Sequence, residues 1–183
     1  MTHWGAGNSF KARTKFMKKD ASGKLVFALQ EYLDHYNQGK APDAVIFLLG
    51  CNDIAGAKPD GLKSAIETSR KNRQMLLGEF HRVMPRTRIG VALLPPPNVS
   101  HGAFWSNYRG AITRNQYILN QFAYMRQTIE DFQDSKVYSL IPTYVGLDEV
   151  KGYPGSLNAV HQNEFGQRQL ADAFEAWLKG NLN

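Results

Sequence analysis

The sequence predicts an alternating α/β domain built on a parallel sheet with helices on both faces. Apolar runs rich in β-branched residues alternate with longer segments of helical period, and no repeat or low-complexity tract interrupts them. Such an order implies right-handed crossovers, and ligands then bind at the carboxyl ends of the strands. The 183 residues, 43% of them hydrophobic, suffice for one domain with a substantial core.

A helix is expected over 24–37, where Leu25, Leu29, Tyr32, Leu33 and Tyr36 share one side. The run at 44–49 reads as a buried strand, as do 88–94 and 136–141. Helices over 62–84 and 113–132 carry mixed charged faces. A last helix over 164–179 aligns Leu170, Phe174, Trp177 and Leu178, with Asn163 as its N-cap and Gly180 as its stop. Three polar or proline-bearing turns follow the three strands: GCND at 50–53, PPPN at 95–98 and PTY at 142–144. All are expected to converge on one crevice.

Composition narrows the chemistry. Cys51 is the single cysteine, so neither an internal disulfide nor a zinc or CxxC motif is available. The apolar runs are too short to span a bilayer, and the first residues do not begin a signal peptide, so no membrane partner is expected and the compartment stays open. The formal charge of +6 is concentrated near Lys11 to Lys19 and in Arg70, Lys71, Arg73, Arg82, Arg86 and Arg88. No helix-turn-helix, RRM or KH pattern accompanies it, so no nucleic-acid partner is expected; a basic rim favouring anionic ligands such as acidic sugars is compatible. A nucleotide-binding domain would need a G-x-G-x-x-G or P-loop run, which is missing.

In the first turn, Gly50 permits a tight bend and the Asn52 amide can donate to an oxyanion without carrying charge, which an Asp there could not do. The alternative is that Asn52 and Asp53 only cap the turn. His161 stands in a short polar loop before the last helix, three residues after Asn158, where an imidazole can titrate and be aimed. His3, His35, His81 and His101 lack that setting and read as surface or structural residues.

Together, Gly50-x-Asn52-Asp53 after a parallel strand and the late Asn158-x-x-His161 resemble the SGNH hydrolases, also called the GDSL family. The resemblance runs from about residue 20 onward and includes LGCNDI, Pro95 to Pro97, Phe104, Asn107-Tyr108, Thr113-Arg114, Gln116-Tyr117, Asn120-Gln121, IPTYVGLD at 141–148 and the segment from Asn158 to Asp172. It implies a flavodoxin-like three-layer α/β/α fold and serine-type hydrolysis of a small-molecule or carbohydrate ester, often an acetyl group, with no cofactor and no metal. Asn52 matches the oxyanion donor and His161 the general base.

Two positions depart from the pattern. Asn158 stands where the family places the acid that orients the histidine; an amide can orient an imidazole but cannot offset its charge. Either Asp148 or Asp53 substitutes, or the site works as a dyad. No strand is expected within 1–20, so the block that carries the nucleophile is missing. Gly7-Asn8-Ser9 imitates it without a preceding strand, which makes Ser9 a candidate nucleophile; alternatively Trp4 to Gly7 is a remnant of the next block and the serine lies upstream. Cys51 lacks the cationic neighbour that would make it reactive. Residues 1–183 are thus expected to form one such domain, the C-terminal part of a longer one lacking its N-terminal strand and helix, with self-association through the incomplete sheet. The rival reading is a non-catalytic binding domain on the same fold.

Overall fold

The computed structural model describes residues 16–182. The described chain opens with an antiparallel hairpin, β1 (Met17–Lys19) and β2 (Leu25–Phe27), in which Met17 faces Phe27. This corrects one expectation: the helix foreseen over 24–37 begins only at Leu29. Asp20 closes the hairpin by accepting from the N–H groups of Ser22 and Lys24 and from the Ser22 hydroxyl, while Gly23 takes φ +82°. Leu25-Val26-Phe27 then finds a partner strand, and tertiary pairing overrides the helical period. Helix α1 (Leu29–Asn37) follows and buries Leu29 and Leu33.

Three parallel strands form the central sheet: β3 (Ala44–Phe47), β4 (Arg88–Ala92) and β5 (Tyr138–Ile141), ordered β3-β4-β5. Val45 pairs with Ile89, and Val91 with Leu140. Alternate residues face opposite layers. Val45, Phe47, Ile89 and Val91 join Leu76, Leu77, Phe80 and Phe132 on one side. Ala44, Ile46, Ala92 and Ile141 join Phe174, Trp177 and Leu178 on the other. Both faces are covered, which is why these strands read as continuous apolar runs.

The first layer holds α1, α3 (Pro59–Val83) and α5 (Arg114–Phe132), which also flanks α2 (Cys51–Ile54); the second is α6 (Glu164–Leu182). Thr113 caps α5 by accepting from the Gln116 N–H, and Asn163 caps α6 by accepting from Gly166. α6 continues through Gly180 to Leu182, so Gly180 is not its stop: it keeps a negative φ, and the Asn181 side chain donates to the Trp177 carbonyl in the same turn. On the central strand, a Cβ at Gly90 would stand 2.7 Å from Ile141 Cδ1 and 2.9 Å from the Trp177 ring. Glycine there lets the indole lie against the sheet, where its N–H donates to Ser139 Oγ at 2.8 Å. The segment after β4 contains α4 (His101–Tyr108), capped by Ser100.

Candidate functional site

Past β3, Gly50 turns the chain at φ +112° into α2. A side chain at this position would overlap the Tyr124 ring, so only glycine fits. The Tyr124 hydroxyl donates to the Leu49 carbonyl at 3.1 Å. Asn52 is exposed on α2. Asp53 turns toward α3, where its carboxylate accepts from the Ser69 hydroxyl at 2.8 Å. Burial outweighs that bond and holds the Asp53 carboxyl above the usual carboxylate range. Cys51 Sγ lies 3.0 Å from the Tyr117 hydroxyl, and burial, with the Asp53 charge added, pushes its thiol up. The thiolate needed for attack is therefore scarce.

His161 is exposed in the loop before α6. Asn158 is half-buried, and its Oδ1 accepts from the main-chain N–H groups of Val160 at 3.1 Å and His161 at 2.8 Å. It orients the loop's backbone, whereas the sequence suggested a grip on the ring. Asn98, only 2% exposed, donates from Nδ2 to the carbonyls of Gly155 and Asn158, and its own N–H reaches the Ala159 carbonyl at 2.9 Å. Asn107, on α4, accepts from the Ala159 N–H at 2.6 Å. Arg114 donates to the Asn98 carbonyl and to Glu149, bracing the PPPN run from α5.

The two loops share a floor. Ala55, Ala103, Phe104, Tyr117 and Ala159 form one buried cluster, and both Cys51 and Val160 pack against it. The chain neighbours of Asn52 and His161 thus rest on the same side chains at the carboxyl ends of the strands. Helix α5 supplies most of the bracing. Asn120 Nδ2 donates to the carbonyls of Ile54 and Ala57, and Gln121 Nε2 to those of Leu94 and Pro95. Both carboxylates considered as orienting acids already accept hydrogen bonds on one oxygen. Asp53 is committed to Ser69, and Asp148 Oδ1 accepts from the N–H groups of Val150 and Lys151, which hold its carboxyl below the usual range. Ser9 lies outside the described residues. Among the described residues, no three His, Cys, Asp or Glu side chains gather as a metal site, and no helix is long and apolar enough to cross a membrane.

No protein-family model and no curated protein matches the chain. Solved structures do. One described as a platelet activating factor from Streptococcus pneumonia superposes with a TM-score of 0.59 at 22% identity, over 82% of this chain and 66% of its own. A GDSL-like lipase from Parabacteroides merdae superposes with a TM-score of 0.50 at 18% identity, over 84% of this chain and 66% of its own. The fold is that of a GDSL-type hydrolase. The chain spans about two thirds of the length of both structures.

Within this GDSL-type fold, Gly50, Asn52, Asn158 and His161 are the residues that the sequence motifs single out. The sequence names Asn120-Gln121 and the PPPN turn, but not that the side-chain amides of Asn98, Asn120 and Gln121 brace the strand ends. Arg73, read as part of a basic run, is 4% exposed and paired with Asp131 at 2.9 Å. Arg70 joins the same carboxylate at 2.8 Å. That part of the charge belongs to the packing between α3 and α5.

Proposed function

We propose that the protein is an ester hydrolase of the SGNH/GDSL type acting on a small-molecule or carbohydrate ester, with Asn52 as oxyanion donor and His161 as general base. The observation that carries this reading is the shared floor on which Cys51 and Val160, the chain neighbours of the exposed Asn52 and His161, both pack at the same end of a parallel sheet. A serine hydroxyl attacks the ester carbonyl while His161 takes its proton. The Asn52 N–H receives the negative charge that develops on the carbonyl oxygen, and the protonated imidazole then delivers the proton to the departing alcohol. Water, deprotonated by the same histidine, releases the acid. Ser9 is the candidate nucleophile within this chain; the alternative is a serine on a preceding segment. Asn158 bonds the main chain of the loop, so on this reading His161 works as a dyad base aimed by its loop.

In the longest natural chain containing these residues, Asn52→Ala is expected to lower kcat on an acetyl ester by about 10²-fold or more with a smaller change in KM, because the interaction strengthens in the transition state. Unchanged turnover would return Asn52 to a surface role. A second reading, a binding domain without catalysis, draws on the lack of a carboxylate partner for the imidazole among the described residues. It predicts no turnover above a His161→Ala control.

A further inference from the structure

We infer that Tyr124, backed by Arg73, is a positioning residue that sets the Gly50–Asn52 turn for oxyanion donation. The inference rests on the oxyanion reading of Asn52. Tyr124 is 3% exposed, and its ring fills the space that a side chain at Gly50 would need. Its hydroxyl donates to the Leu49 carbonyl and accepts from Arg73 Nη1 at 2.8 Å. Arg73 is itself fixed from three directions. Nη1 also donates to Thr128 Oγ1 at 2.6 Å, Nη2 donates to Asp131, and the guanidinium lies 5.1 Å from the centroids of both Tyr124 and Phe132. Thr128 in turn donates to the Tyr124 carbonyl at 2.9 Å.

A buried cation is costly unless paired, and packing between α3 and α5 could be achieved with apolar residues instead. Here the guanidinium, paired with Asp131, also donates to a phenol, and that phenol grips the last carbonyl before the turn to Asn52. Both the ring and the hydroxyl therefore constrain the same peptide. With Gly50 held beneath and its carbonyl receiving the N–H groups of Asp53 and Ile54, α2 and the Asn52 on it inherit a fixed direction. A donor displaced by even about 1 Å loses much of its effect on a transition state.

Tyr124→Phe tests this, since it keeps the ring and removes only the bond. In the longest natural chain, it is expected to lower kcat on p-nitrophenyl acetate by about tenfold with KM little changed, as loss of roughly one hydrogen bond's worth of alignment would. On an Asn52→Ala background the same change is expected to cost nothing further. Hydrogen exchange at the amides of Asp53 and Ile54 should accelerate by about tenfold while those of β4 stay unchanged. Arg73→Lys, which keeps the charge beside Asp131 but cannot span all three partners, should repeat the non-additive loss if the first variant fails to fold. An equal loss in both backgrounds, or unchanged exchange at Asp53 and Ile54, overturns the inference and leaves the oxyanion reading intact. Full turnover in Asn52→Ala instead overturns the oxyanion reading, and the inference with it.

Discussion

Asp53 and Asn52 are adjacent but face opposite environments. Asn52 meets solvent, whereas Asp53 is drawn under α2 against Ser69, itself 4% exposed. The Asp53 proton is therefore held more tightly in the folded chain than in the unfolded one, with burial as the main cause. For an acid whose folded value is raised, the contribution to stability is most favourable below the unfolded value, about pH 4, and declines as pH rises through the folded value. Asp53→Asn keeps an acceptor for Ser69 and removes the charge. It is expected to raise the urea midpoint at pH 7 and flatten its decline above about pH 4. A midpoint at pH 7 equal to or below that of the parent protein would mean that the carboxylate is better solvated than its position indicates. Asn52 and His161 stand out in the sequence because each sits in a short polar motif at a strand or helix boundary. Tyr124 and Arg73 do not, because a tyrosine on an apolar helical stripe reads as core and an arginine in a charged run reads as surface; only the fold brings them together.

At the scale of elements, helix α5 was legible almost to the residue, because Thr113 announces its start and a long buried stripe sustains it. The hairpin at β1 and β2 was not. Its three-residue strands are too short to show a period, and Leu25 continues the spacing of the helix behind it. α2 and α4, of four and eight residues, were missed for the same reason. The contact between α6 and the sheet depends on Gly90. Gly90→Ala forces either Ile141 or the Trp177 indole to move and is expected to destabilise by about 2 kcal/mol, as overpacking of a dense core does. Urea unfolding measures the loss, and a red shift of the emission from Trp177, which is 8% exposed, locates it. An unchanged midpoint would mean that the helix can retreat without cost.

Across the whole molecule, β3 pairs only with β4 among the described residues, although it carries the turn to Asn52. Ser69, which bonds Asp53 of that turn, is buried and not free for attack. On the reading in which the serine lies on a preceding segment, the 183-residue polypeptide is expected to hydrolyse p-nitrophenyl acetate no faster than its His161→Ala variant. Robust turnover abolished by Ser9→Ala would instead make Ser9 the nucleophile. The same architecture bears on biosynthesis. One face of the sheet, formed by Ala44, Ile46, Ala92 and Ile141, is covered by side chains of α6. While the ribosome is still translating the loop around His161, that face has no cover, and the three strands cannot be sealed until Phe174, Trp177 and Leu178 have left the exit tunnel. Folding of this domain is accordingly a late event in its own synthesis, and nascent chains stalled before α6 should be the ones that chaperones hold.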